Sequence, residues 1–385
     1  MDRGKISVAA FFAILGMVCA GNASAIPEIK ETLSLSNAEL GFLMLAGPTG
    51  TGISYLFAGM IVSRRGGRFG IAFGTTGYML AVAFLGSCFL LKPSLPVWIL
   101  AMAVVPAFGN ILNISINTQG GLVERRLGKS VMGFFHGNWS LANLLCGLSL
   151  LALSSLGVPI GWRLIGISCV CSPFALLMFG GLEADGPRAD AGGRKEKSRL
   201  RPDLALIQLG LVALLFLGCE GAVFEWVGVF YRDVIQVVPG LTMLGYCSVI
   251  AMMTVGRFMI DRMVNMRSAT FVFRLCSFFV SLGLALAALF SAALPFGIVR
   301  TLVVTLCWGV AGFGLSGLSP MIYSSATRSK ALPPASAVTV VSSIGFIASF
   351  LFPPLVGTIS DVWGLGIAFA VCAVLALTGI RVRMR

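Results

Sequence analysis

The stretch from Leu204 to Tyr231, LALIQLGLVALLFLGCEGAVFEWVGVFY, is predominantly apolar. At about 1.5 Å rise per residue it is long enough to cross a hydrocarbon core of roughly 30 Å. It nevertheless carries Glu220 near its middle. A carboxylate at that depth is costly wherever it meets lipid, so it must face a protein-lined or watery interior, take up a proton, or find a cation. Glu220 is therefore the leading functional candidate, with proton coupling as its expected role.

Comparable apolar runs recur along the whole chain. A composition of 57% hydrophobic and 11% charged residues, with a mean hydropathy of +0.95, excludes a soluble globular domain. The net charge of +13 does not point to nucleic acid, because the basic residues sit in short segments between apolar runs, where a membrane protein keeps its cytoplasmic positives. The ten cysteines lie inside apolar runs without a CxxC pair, and His136 is the single histidine, so the thiols are read as small buried residues and no metal or cofactor is expected. A nucleotide-binding loop and a nucleophile constellation are both missing, which argues against an enzyme or an ATP-driven pump.

Residues 2–25 imitate a secretory signal, with Arg3, Lys5, an apolar core and Ala23-Ser24-Ala25. The run CAGNAS from Cys19 is echoed by CEGAVF from Cys219, so this segment is read as a first span with Asn22 at depth. A polar loop holding Glu28, Lys30, Glu31 and Glu39 is expected next, then spans over 40–62, 71–91 and 97–119. In the fourth span Asn110, Asn113 and Asn117 fall on one helical face, at i, i+3 and i+7, and the stripe is read as a cavity lining. His136, at the start of span five, is read as an interfacial packing residue. Span six, over 162–182, runs into EADGPRADAGGRKEKSRLRPD, a flexible linker over 183–203.

The pattern then repeats. Span seven is the opening stretch, span eight covers 241–260 and ends at Asp261-Arg262, and span nine covers 270–290 with Arg274 near enough to the surface to snorkel. Arg300 opens span ten, span eleven covers 335–357, and span twelve ends in RVRMR. Setting GNILNISINTQGGLVER from Gly109 beside GFGLSGLSPMIYSSATR from Gly312 places Asn113 opposite Ser316 and Arg125 opposite Arg328. Two six-span halves, 1–182 and 204–385, are thus diverged copies. With both ends and every even-to-odd connection cytoplasmic, 22 of the 28 Lys and Arg residues fall on the cytoplasmic side and five (Lys30, Lys92, Arg163, Arg232 and Arg300) on the other, Arg274 being inside a span. The expectation is an all-α polytopic membrane protein of twelve transmembrane helices, in a bacterial inner membrane.

The loop GMIVSRRGGR, from Gly59 to Arg68, resembles the GxxxDRxGRR signature of the major facilitator superfamily, whose build is two parallel six-helix repeats. Ser63 stands where that signature has its acid, while Asp261-Arg262 keeps a second-half version. Arg64, Arg68, Asp261 and Arg262 are the gating residues this resemblance implies. LSLSNAELGFLML, NTQGGLVERRLGKSVMGFFHGNWSLANL and CEGAVFEWVGVFYRD with GLTMLGY are similar to bacterial members of the fucose-permease-like branch.

That resemblance implies a central cavity lined by spans one, four, seven and ten and opened alternately to each side. Polarity agrees, because these spans carry Asn22, the three asparagines, Glu220, Glu225, and Trp308, Ser316, Ser319 and Tyr323 on one face of span ten. Amides and hydroxyls there are expected to bind solute hydroxyls, with Trp226, Trp308 or Tyr323 stacking on a ring. Glu225, Arg232 and Arg300 are expected to form an outer ion pair. The chain is read as a monomeric, proton-coupled transporter of a small polar organic solute such as a sugar, with the solute, a proton and the lipid bilayer as partners. An efflux pump for apolar or cationic compounds is one alternative, and a non-transporting membrane sensor of the same fold is another.

Overall fold

The structure, a computed structural model, describes residues 2–128, 131–184, 203–329 and 332–384, and not the side chains of Asp261, Pro334 and Ala335. Most of the expected linker therefore lies outside the described residues. All regular structure among those residues is helical: α1 (Arg3–Thr32), α2 (Asn37–Leu43), α3 (Ala46–Arg65), α4 (Gly67–Leu91), α5 (Leu95–Leu127), α6 (Met132–Ser155), α7 (Ile160–Phe179), α8 (Leu204–Phe230), α9 (Leu244–Met266), α10 (Ala269–Ala293), α11 (Ile298–Thr327), α12 (Pro334–Phe346), α13 (Ala348–Trp363) and α14 (Leu365–Leu377). Among the described residues, eleven helical stretches are long and apolar enough to cross a membrane, and the shorter apolar stretch Leu365–Arg381 follows them. Helices of this kind bond most of their backbone groups internally, as a bilayer requires.

Breaks fall where backbone chemistry demands them. Pro353 and Pro354 have no amide for the carbonyls of Ser349 and Phe350, and the eleventh span bends just upstream, between α12 and α13. Asp203 starts α8 by accepting the amide of Leu206 at 2.9 Å.

The helices group into two compact units, Met1–Thr32 with Leu43–Glu196, and Leu33–Phe42 with Lys197–Arg385. In the first, α1 packs on α6 and α7, while α5 packs on α3 and α4. In the second, α8 packs on α12 and α13, while α11 packs on α9 and α10. Helices α5 and α11 begin at Leu95 and Ile298, the same offset that aligned the two sequence repeats, and each contacts the corresponding pair of neighbours.

The boundary differs from the sequence expectation at 33–42, which clusters with the second unit. Asp361 explains this: its carboxylate accepts the amides of Asn37 and Ala38 at 2.8 and 2.9 Å, at the start of α2. Gly357 permits the approach, since a Cβ there would lie 2.3 Å from the Asn37 carbonyl oxygen.

Two further expectations are corrected. Glu28, Lys30 and Glu31 are not in a loop, because α1 continues through Pro27 to Thr32. Arg163, almost fully buried on α7, needs a countercharge, and its Nη2 donates to Glu28 Oε1 at 3.3 Å. Arg274 does not simply snorkel. Its Nε donates to the Val382 carbonyl at 3.2 Å, and with Thr270, which is bonded to the backbone of Met384, it ties the C-terminal tail to α10.

At the basic end of the first unit, Arg126 pairs with Asp2 and, at 2.7 Å, with Glu183. Asp2 also accepts the Lys5 amide at 2.8 Å, and this bond, followed by the nearby Arg126 charge, holds its carboxyl below the usual range. His136 packs edge-on against Phe12, with ring centres 5.0 Å apart.

Candidate functional site

In the second unit three elements bring polar groups together at the depth of Glu220. Ser319 Oγ, on α11, donates to Glu220 Oε2, on α8, at 2.9 Å. Arg257, on α9, lies near enough for its charge to act on the same carboxylate. Glu220, Ser319 and Arg257 are all partly buried, so the group is neither sealed in the core nor freely solvated. Pro320, immediately after Ser319, offers no amide to the Ser316 carbonyl, which loosens α11 at the point where the hydroxyl turns to Glu220.

Arg257 is the residue that sequence reasoning missed. The charge tally counts it with the cytoplasmic residues, whereas it lies within α9, which continues to Met266. Arg232 and Arg300, expected beside Glu225, lie away from the Glu220 cluster. Arg300 donates from Nη2 to the Val234 carbonyl at 2.9 Å and lies 4.2 Å from the centre of the Phe296 ring. Arg232 sits in the π-turn Tyr231–Ile235 that ends α8.

The expected outer ion pair is not formed. Among the described residues no salt bridge joins Glu225 to Arg232 or Arg300, and Glu225 Oε2 is buried with no hydrogen-bond partner. Glu225 follows Glu220 by five residues, which turns it away from the face that meets Arg257 and Ser319. A different polar link forms in this unit. The Tyr231 hydroxyl and Thr305 Oγ1 lie 2.6 Å apart, and Ser248 donates to the Thr305 carbonyl at 2.8 Å.

The indole rings are packing residues rather than stacking platforms. Trp226 and Trp308 are both 0% exposed, and Trp308 lies edge-on to Phe369 and Phe230 with ring centres 4.7 and 5.4 Å away. Ser316 is also buried. It donates to the Phe313 carbonyl at 2.6 Å and fills the space opposite Gly256, where any Cβ would lie 2.2 Å from its oxygen. Tyr323 keeps a partly exposed side chain on the same helix.

In the first unit the asparagine stripe divides. Asn110 is buried and donates from Nδ2 to Ser54 Oγ on α3 at 2.8 Å, an interhelical bond. Asn117 donates to both the backbone and side-chain oxygens of Asn113, at 2.8 and 2.9 Å, and both residues remain partly exposed. Asn22, on α1, holds a buried Oδ1 without a partner.

Of the gating residues, Arg64 and Arg262 are exposed, and Arg68 lies 5.3 Å from the centre of the Phe179 ring. The side chain of Asp261 lies outside the described residues.

Among the described residues, membrane-length helices in two compact units define a polytopic membrane protein. The sequence profile of the Major Facilitator Superfamily matches residues 6–334, and the chain belongs to that family. An uncharacterised MFS-type transporter of Yersinia pestis is 24% identical over 376 residues, covering 97% of this chain and 93% of that protein. A mutant form of the nucleoside transporter NupG shares the fold with a TM-score of 0.77 at 11% identity, over 99% of this chain and 98% of that one. A D-xylose-proton symporter does so with a TM-score of 0.67 at 16% identity, over 97% and 98%.

Proposed function

We propose that this protein is a proton-coupled secondary transporter of a small polar organic solute of the sugar-like class, working by alternating access in a bacterial inner membrane with both termini cytoplasmic. The carrying observation is the cluster of Glu220, Ser319 and Arg257. An ionisable group inside a span is retained where it binds, relays or switches, because its presence there costs about 2.5–3.5 kcal/mol on insertion scales. Ionised Glu220 attracts Arg257 and accepts from Ser319. A proton arriving on the carboxyl removes the attraction to Arg257 and changes which helices of the unit are held together. Proton loading thereby acts on packing, and a contact worth about 1.4 kcal/mol in only one state shifts a conformational ratio tenfold.

The partly exposed amides of Asn113 and Asn117, with Asn22 and Tyr323, supply the donors and acceptors a hydroxylated solute needs. Two fold relatives, a nucleoside transporter and a D-xylose-proton symporter, are consistent with that class. Arg64, Arg68, Asp261 and Arg262 are assigned to the gates at the basic ends of the two units.

A thermal-shift panel of sugars, nucleosides, polyols, organic acids and lipophilic cations on the purified protein tests the substrate class. Saturating ligand at 100 times its Kd adds about 2.7 kcal/mol of apparent stability. Stabilisation by a hydroxylated neutral compound is expected, and stabilisation by lipophilic cations alone would point to an efflux pump.

A further inference from the structure

In the first unit α4 and α7 pack side by side and leave between them a groove of about 550 Å³. Its wall includes Thr75, Leu80, Ala83, Ser168, Leu176 and Phe179. Leu80 and Leu176 are 67% and 79% exposed, so the groove opens on the outside of the helices, where a membrane protein meets hydrocarbon. These helices are spans three and six, which are not among the spans expected to line a solute cavity. Thr75 is 5% exposed, yet its Oγ1 has no hydrogen-bond partner. The groove wall is mostly apolar, with the hydroxyls of Ser168 and Ser172 bonded to backbone carbonyls.

One end of the groove is basic. Phe179, in its wall, carries the Arg68 guanidinium 5.3 Å from its ring centre, in the first turn of α4. Arg64 and Arg65 end α3 immediately before it. The segment 59–70 contains three arginines and no acid, because Ser63 occupies the position where the family signature has its carboxylate. Positive charge at the mouth of a bilayer-facing groove is complementary to an anionic headgroup whose chain lies in the groove.

We propose that this groove is a binding site for an anionic phospholipid, with an acyl chain between α4 and α7 and the phosphate at Arg68. The groove is separate from the Glu220 cluster, which lies in the other unit, and shares only Arg68 with the residues assigned to the gates.

The full-length protein, released from nanodiscs holding equal phosphatidylglycerol and phosphatidylcholine, would be examined by native mass spectrometry for retained lipid. One retained phosphatidylglycerol is expected, in preference to phosphatidylcholine. Arg68→Gln should reduce that preference about fivefold, the effect of one basic residue at an anionic surface. Ala83→Phe should abolish retention of either lipid by filling the groove. Should Ala83→Phe fail to elute as a folded monomer, Ala72→Phe at the same wall replaces it. Equal retention of the two lipids by the unsubstituted protein, or unchanged retention after the groove is filled, would overturn the proposal.

Discussion

Replacing Arg257 by glutamine removes the cation that acts on Glu220 while keeping a side chain of similar reach with amide donors. Removing one partner of a fully buried pair costs about 3–5 kcal/mol, chiefly because the other charge is left uncompensated. Glu220 and Arg257 are partly exposed, Ser319 still donates to the carboxylate, and Arg257 acts on it through its charge, so a coupling of about 1–2 kcal/mol, well below that of a buried pair, applies. At roughly 2–4 °C per kcal/mol for a unit of this size, Arg257→Gln should lower the melting temperature by ~2–8 °C. The decisive assay is a double-mutant cycle with Glu220→Gln, read by thermal unfolding in detergent. With the carboxylate already neutral, the second substitution should add little, and the double variant should melt close to Glu220→Gln alone. Additive effects, with a coupling below about 0.5 kcal/mol, would refute the reasoning, because the two charges would then not sense one another.

Asn110→Leu should destabilise the first unit by about 0.6 kcal/mol, the average for an interhelical hydrogen bond in a membrane, whereas Asn113→Leu should leave melting nearly unchanged and weaken ligand-induced stabilisation in the thermal-shift panel. Asp361→Ala should speed amide exchange at Asn37 and Ala38, whose donors it accepts, with little change along the rest of the second unit when followed by exchange mass spectrometry. Asp2 has a carboxyl held below its ordinary range, so its contribution is present above the unfolded carboxylate pKa and is lost as pH falls through the lower folded value. The melting difference between the native chain and Asp2→Asn should therefore vanish in acid and persist at neutral pH.

The sequence shows the class of fold plainly, because membrane-length apolar runs, paired motifs and the sided distribution of arginines each constrain the same twelve-span reading. Glu220 stands out for the same reason: a carboxylate inside such a run needs an explanation. Its partners were hidden. Arg257 and Ser319 lie on other helices, and no one-dimensional pattern reports which faces of α8, α9 and α11 meet. Helical periodicity placed Trp308, Ser316, Ser319 and Tyr323 on one face, but a shared face does not distinguish a solute-facing residue from one buried by Phe230 and Phe369 or by Gly256. The Glu225 pairing failed for a related reason, since nearness to the same end of a unit is weaker than the contact Arg300 makes with the Val234 carbonyl. At 33–42, chain continuity suggested membership of the first unit, and a carboxylate more than 320 residues away decides otherwise.

Proteoliposomes containing Glu220→Gln, supplied with a labelled form of the solute the stability panel selects, test the coupling role most directly. The amide keeps the acceptor for Ser319 and imitates the protonated acid, so exchange of labelled for unlabelled solute should persist while accumulation driven by a pH gradient is lost. Gradient-driven accumulation at the native rate in this variant would contradict a coupling role for Glu220.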